Sequence, residues 1–209
     1  ALAWPVELTR RLDLTGSSDL PAVIDAVHPT VIIGTTGEPG VFSEDIIRSV
    51  AAHVERPVVM ALSNPTSKTE AVPADVFRWT DGRALMATGS PFDPVEYEGT
   101  KLHVSQGNNV YVFPGIGMGA IVSGATEVTD SMFAAAANAL AELVTEEDLD
   151  AGKLYPGLAN LRPITRTIAR AVALAACESG VARGLTADDV DAALDHEIWD
   201  LDYPALRPI

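Results

Sequence analysis

Cysteine and basic residues are scarce in this chain. Its one cysteine, Cys177, cannot form an intrachain disulfide and lies in an apolar helical stretch, so we expect it in the core of a cytoplasmic protein. Lysine and arginine total 14 against 29 aspartates and glutamates, which gives a net charge of -15. Nucleic acids and anionic membranes attract Lys/Arg patches because both are polyanions, so we expect neither as a partner.

Long apolar runs are also missing. No run approaches the ~20 residues that span a bilayer, and the first residues lack the charged-then-apolar order of a secretory signal. With 47% hydrophobic and 21% charged residues in 209 positions, we expect one soluble domain, or one domain with an appendage. The chain begins with Ala1 and no initiator methionine, so we expect a piece of a larger polypeptide.

Motifs for covalent, phosphate or metal chemistry are absent too. The sequence has no G-x-S-x-G elbow, no P-loop lysine motif and no H-E-x-x-H, and its histidines are not spaced as zinc ligands. We therefore assign no catalytic residue and no metal ligand to this chain. Gly115, Gly117 and Gly119 form G-x-G-x-G, which departs from the dinucleotide fingerprint, and we interpret them as helix-packing positions.

What the sequence does contain is a regular alternation of strands and helices. Apolar runs at 31–33, 58–62 and 84–88 predict short buried strands. Helices are predicted between them, one with Ser43 as its N-cap and one starting near Pro73. This order favours an α/β fold, in which a doubly wound parallel sheet is covered on both faces and followed by C-terminal helices.

Each predicted strand ends in a polar turn. Right-handed crossovers place the carboxyl ends of parallel strands along one edge, and open sheets of this kind bind ligands in the crevice outside that edge. The turns at 34–37, 63–66 and 88–90 are therefore expected to line one crevice.

Three asparagines are the candidate ligand-positioning groups. Asn64 lies in the second turn, and Asn108 and Asn109 form an amide pair further along the chain. A carboxamide donates and accepts hydrogen bonds without exchanging protons, so it orients carboxylates, hydroxyls and amides. The alternative for Asn64 is a turn-forming bond to its own backbone.

An ordered set of motifs in this chain resembles the C-terminal half of the large-type malic enzymes. The resemblance covers roughly residues 28–175. The matching segments are Ile33-Gly34-Thr35-Thr36-Gly37, Val41-Phe42-Ser43, Arg56-Pro57-Val58-Val59, Ala61-Leu62-Ser63-Asn64-Pro65-Thr66-Ser67, Ala87-Thr88-Gly89-Ser90-Pro91-Phe92, Gln106-Gly107-Asn108-Asn109-Val110-Tyr111-Val112-Phe113-Pro114-Gly115 and Gly152-Lys153-Leu154-Tyr155-Pro156. Malolactic enzymes share these motifs.

The resemblance implies a Rossmann-like nicotinamide-binding domain, of which this chain holds the latter part. We accordingly divide the chain into a connector and entry helix at 1–27, a partial nucleotide-binding domain at 28–180, and a C-terminal helix and tail at 181–209. Malic enzymes oxidatively decarboxylate malate to pyruvate and carbon dioxide, with NAD or NADP and a divalent metal, Mg²⁺ or Mn²⁺.

The resemblance also implies roles for the residues in the turns. Cofactor contacts would come from Gly34, Thr35, Thr36, Gly37, Asn64 and Asn109. Substrate contacts would come from Asn64, Asn108 and Asn109.

The family's other functional groups do not map onto this chain. Its proton-handling tyrosine and lysine, its metal carboxylates and its first glycine motif all precede the region matched here. We therefore expect the chain to be inactive without the N-terminal remainder of the same enzyme, and to form a homo-oligomer because a truncated sheet exposes an edge. Two alternatives stay open, a malolactic enzyme and a non-catalytic binding or assembly module with the same fold.

Overall fold

A parallel β-sheet organises the first of two units in the computed structural model, which describes residues 5–12, 14 and 19–199. The first unit comprises residues 1–108 and 144–156, and the second comprises 109–143 and 157–209. The domain boundaries proposed from the sequence stay a prediction. The end of the proposed tail, beyond residue 199, lies outside the described residues.

The strands are short and follow the predicted order. They are β1 (Val31–Gly34), β2 (Val58–Ala61), β3 (Leu85–Thr88), β4 (Val95–Tyr97), β5 (Thr100–Leu102) and β6 (Val104–Gln106). Strands β1, β2, β3 and β6 form one parallel sheet in that order, while β4 and β5 pair as an antiparallel hairpin. The predicted α/β architecture with a parallel sheet is confirmed, and β6 adds a strand that the sequence did not reveal.

The helices are distributed over both units. They are α1 (Val6–Arg11), α2 (Leu20–Val27), α3 (Glu44–His53), α4 (Pro73–Trp79), α5 (Phe113–Ser123), α6 (Asp130–Glu142), α7 (Glu146–Asp150), α8 (Leu161–Glu178) and α9 (Ala187–Glu197). Short 3-10 helices occur at Thr66–Lys68, Asn109–Tyr111 and Leu158–Asn160. Among the described residues, no helix has the length and apolar content needed to cross a membrane.

The core of the first unit lies between the sheet and its helices. Ile47 of α3, Val59 of β2 and Phe77 of α4 are almost fully buried in one cluster. Burying such a side chain stabilises the fold by about 1.5–3 kcal/mol, and this burial stabilises a sheet whose strands are only a few residues long.

Strand β1 departs from the prediction of a fully buried strand. Its residues alternate, with Ile32 buried but Val31 and Ile33 exposed at 44% and 62%. Within the described residues β1 pairs only with β2, so it forms an edge of this sheet. The alternating burial shows that the apolar run of β1 is covered on one face only, so the prediction of cover on both faces is wrong for this strand.

In the second unit, α5 packs closely on α8 through glycine. A Cβ added at Gly115 would lie 2.6 Å from Cγ2 of Ile168, and one at Gly119 would lie 2.6 Å from the carbonyl oxygen of Ala169. A Cβ at Gly117 would meet nothing within 4 Å. The packing interpretation of the glycine series is confirmed at Gly115 and Gly119, and it is wrong at Gly117.

The contrast between buried and exposed isoleucines gives a matched test of the fold. Ile47→Ala removes a side chain with 0% exposure, so the free energy of unfolding should fall by about 2–5 kcal/mol. Ile33→Ala at the exposed edge should cost less than about 1 kcal/mol. Urea unfolding followed by circular dichroism measures both, and equal losses would contradict the described core.

Candidate ligand site at the carboxyl edge of the sheet

The turn that follows β1 is tied to the turn that follows β2. Gly37 adopts a left-handed backbone with φ of 69°, and its N–H donates to Oγ of Ser63 at 2.9 Å. Thr35 and Thr36 are exposed, while Gly34 is buried. The two turns thus meet at the edge where the sequence placed them.

A buried carboxylate joins these turns. Glu70 has 0% exposure, and its Oε1 accepts from the backbone N–H of Thr36 at 2.8 Å and from the Thr36 hydroxyl at 3.0 Å. Ser63 donates its hydroxyl to Oε1 at 2.5 Å and its backbone N–H to Oε2 at 3.2 Å. Burial alone would raise the pKa of the Glu70 carboxyl, but the hydrogen bonds from Ser63 and Thr36 outweigh burial and hold that pKa below its usual 4.5.

Sequence reasoning missed Glu70. The available signal was a lone acid between Thr69 and the apolar residues Ala71 and Val72, just before a helix starts. Charged residues are almost never fully buried unless they have partners, so an acid in such a segment indicates a local set of donors. Gly34 belongs to the same arrangement, because a Cβ there would lie 2.5 Å from Cγ of Glu70.

Asn64 is held by the turn that follows β3. The hydroxyl of Ser90 donates to Oδ1 of Asn64 at 2.6 Å, and the hydroxyl of Thr88 donates to the carbonyl oxygen of Ser90 at 2.8 Å. Asn64 is exposed, and among the described residues its Nδ2 has no hydrogen-bond partner. The turn-forming alternative does not account for this side chain, which presents its amide N–H groups as donors at the edge.

Gly89 allows this arrangement by having no side chain. A Cβ at this position would lie 2.1 Å from the carbonyl oxygen of Leu62 and 2.9 Å from Nδ2 of Asn64. The side-chain amide of Gln106, at the end of β6, donates to the carbonyl oxygen of Gly89 at 3.3 Å. Hydrogen bonds therefore connect the carboxyl ends of all the parallel strands in turn.

The second asparagine motif begins where β6 ends. The backbone N–H of Asn108 donates to the carbonyl oxygen of Gln106 at 3.1 Å, within the first unit. Asn109 belongs to the second unit, where it starts a 3-10 helix and accepts from the N–H of Val112 at 3.0 Å. The predicted turn 34–37 and Asn64 thus lie at the same edge of the sheet. Asn108 follows the end of β6 in the first unit, whereas Asn109 belongs to the second unit.

The predicted site residues supply hydrogen bonds and no proton transfer. Asparagine, threonine and glycine do not titrate near neutral pH, and Glu70 is enclosed by donors. Over the described part of the chain, no group of three His, Cys, Asp or Glu side chains is arranged to hold a metal ion. The arrangement suits the orientation of a polar ligand.

The residues of this edge lie within a segment that matches a known protein family. Residues 6–177 match the family described as malic enzyme, NAD binding domain. This chain belongs to the malic enzyme family. The match confirms the resemblance drawn from the motifs, and it covers both the turns and the asparagine motifs.

Malic enzymes of bacteria are similar to most of this chain. The NAD-dependent malic enzyme of Sodalis glossinidius (strain morsitans) is 48% identical over 188 residues, which is 90% of this chain and 33% of that protein. The NAD-dependent malic enzyme of Acinetobacter baylyi is 48% identical over 187 residues, again 90% of this chain and 33% of that protein. The chain spans about a third of the length of these curated relatives.

Solved malic enzyme structures share the fold. The crystal structure of malic enzyme from Pyrococcus horikoshii Ot3 superposes with a TM-score of 0.63 at 28% identity, over 85% of this chain and 37% of that one. The Entamoeba histolytica malic enzyme gives a TM-score of 0.64 at 26% identity, over 90% and 38% of the two chains. The α/β, Rossmann-like fold class is thereby confirmed.

The tight contact at Gly89 predicts a cost for any side chain there. Gly89→Ala should lower the free energy of unfolding by about 1–3 kcal/mol, because its Cβ would lie 2.1 Å from the Leu62 carbonyl oxygen. The control Gly117→Ala has open space on α5 and should be neutral or stabilising by up to about 1 kcal/mol. Thermal unfolding of both variants distinguishes them, and an unchanged Gly89→Ala midpoint would refute the contact.

Proposed function

We propose that this chain is part of the NAD-binding domain of an enzyme that oxidatively decarboxylates malate to pyruvate and carbon dioxide. The observation that carries the proposal is the hydrogen-bonded edge at which the turn 34–37 and Asn64 converge, in a chain of the malic enzyme family. Ligands of open parallel sheets bind at such edges.

NAD is the favoured cofactor. The relatives from Sodalis and Acinetobacter are named NAD-dependent malic enzymes, which supports NAD over NADP and malic over malolactic activity. No feature of the described residues favours the non-catalytic module, since the turns and Asn64 retain the polar groups that a ligand would need.

The geometry supports specific roles for this chain's residues. Nδ2 of Asn64 would donate to the substrate's carboxylate or hydroxyl or to the nicotinamide carboxamide, because Ser90 orients the amide through Oδ1 and Nδ2 has no partner among the described residues. The N–H groups of Thr36 and Gly37 are also taken, so these residues would meet the cofactor through other main-chain atoms, beside exposed Thr35. Roles for Gly34, Asn108 and Asn109 belong to the same proposal.

The remaining functional groups would come from elsewhere in the enzyme. The divalent metal, which acts as a Lewis acid in this family, does not fit the described residues, because they contain no suitable group of ligands. The N-terminal remainder of the enzyme is the proposed source of the metal ligands and the proton-handling groups. A homo-oligomeric state and a cytoplasmic location are parts of this proposal.

Asn64 gives the direct test in the complete polypeptide. Asn64→Ala should lower kcat/KM for NAD-dependent malate decarboxylation about 10- to 100-fold, the loss expected when a hydrogen bond to a charged group is removed. Asn138→Ala, at an exposed position on α6, is the matched control and should leave kcat/KM unchanged. Equal rates for the Asn64 variant and the wild type would refute the assignment.

The isolated chain provides a second test. Mixed with malate, Mn²⁺ and NAD, it should form no NADH, because its predicted site residues neither titrate nor bind metal. Absorbance at the NADH band measures this, with the complete polypeptide as positive control. Sustained NADH formation by the isolated chain would show that the missing groups lie within it.

A further inference from the structure

We infer that Glu70 is a positioning residue for the cofactor-binding edge, which it organises without contacting the ligand. The inference rests on the proposed function, because it concerns how the turn 34–37 and Asn64 are held for their ligands. Neither the motifs of the sequence nor its family membership assigns a role to Glu70. The structure places its carboxylate between the two turns, where it accepts hydrogen bonds from Thr36 of one turn and Ser63 of the other.

The environment of Glu70 selects a carboxylate. Thr36 and Ser63 each direct a backbone N–H and a hydroxyl hydrogen at it, and its two oxygens accept all of these bonds. An ionised carboxylate is an acceptor only, whereas a glutamine amide carries two donors on one end. Glu70→Gln would therefore set an N–H₂ group against one of these donors, at a side chain with 0% exposure, where an unsatisfied donor is costly.

The hydrogen bonds that Glu70 accepts determine which groups of the turn 34–37 are still able to bind a ligand. The N–H of Thr36 points at Glu70, and the N–H of Gly37 points at Ser63, whose hydroxyl in turn donates to Glu70. The hydroxyl of Thr36 also accepts from the N–H of Glu38 at 3.1 Å. The N–H groups of Thr36 and Gly37 are thus used within the protein, and Thr35 beside them is exposed.

The same bonds reach Asn64 through its neighbour. Glu70 holds both the backbone N–H and the hydroxyl of Ser63, so the chain enters Asn64 from a fixed position. Ser90 then fixes the far end of the Asn64 side chain. Loss of the Glu70 charge should therefore disturb the cofactor turn and the substrate amide together.

The test compares two glutamate-to-glutamine variants in the complete polypeptide. Glu70→Gln should raise the KM for NAD about 10-fold and lower kcat for malate decarboxylation, because misplaced donors alter both parts of the edge. Glu96→Gln, at an exposed position on β4, should leave both constants unchanged. Kinetics are measured at a temperature at which circular dichroism shows both variants to be fully folded.

The split between KM and kcat separates positioning from simple stability. A residue that only stabilises the fold would lower the active fraction and hence the apparent kcat, with the KM for NAD unchanged. A KM for Glu70→Gln within twofold of wild type would therefore overturn the inference. Titration of NAD, followed by protein fluorescence, gives the same comparison without turnover.

Ser63→Ala alone keeps the inference testable if Glu70→Gln folds poorly, because an unchanged KM for NAD in that variant would overturn it. A double-mutant cycle extends the test where both variants fold. Ser63→Ala removes one donor to Glu70 and should raise the KM for NAD in the same direction. The double variant should be less impaired than the product of the single effects, since both act through one network. Independent, multiplying effects would overturn the inference.

A complete wild-type polypeptide that binds NAD without decarboxylating malate would instead overturn the proposed activity. The NAD titrations would still decide the role of Glu70.

Discussion

A buried negative charge that must be surrounded by donors is the constraint on which the carboxyl edge of this sheet depends. An ionised carboxylate in a dry environment is costly unless hydrogen bonds replace its water. Glu70 meets this requirement only when the turns after β1 and β2 adopt one particular relation, because each turn supplies a backbone N–H and a hydroxyl. The arrangement of the two turns therefore supplies the donors that stabilise the ionised form of Glu70.

From this constraint the polar edge extends across the sheet. Ser63 follows β2 directly, Asn64 follows Ser63, and Ser90 connects Asn64 to the turn after β3. The parallel strands make this possible, since their aligned registers bring Gly34, Ala61 and Thr88 side by side. The edge thereby presents uncharged amide and hydroxyl groups, which suit the orientation of a polar ligand.

The sequence predicted the parts of this fold that are local in the chain. Strands β1 to β3 were predicted because apolar runs stand between glycine and proline breakers, and their common edge followed from the handedness of the crossovers. Strand β6 was not predicted because Ser105 and Gln106 interrupt any apolar run. Its position in the sheet depends on pairing with β3. The exposure of Ile33 depends on sheet position, which composition does not encode.

The candidate site shows the same division. Asn64 was predicted from its place after a strand, and the structure adds that Ser90 orients it. Glu70 was not predicted because its donors at Thr36 lie 34 positions away along the chain, and only the folded state brings them together. Long-range satisfaction of a buried charge is a tertiary property, so a single sequence gives little sign of it.

The open side of β1 has a consequence for the dynamics of the sheet. Strand β2 has a hydrogen-bonded neighbour on each side, whereas the described residues provide β1 with a neighbour on one side only. Alternate amide hydrogens of β1 therefore have no second strand as acceptor among the described residues and should exchange with deuterium far sooner than those of β2. The turn 34–37 follows β1, so its position would depend less on β1 than on its hydrogen bonds to Ser63 and Glu70.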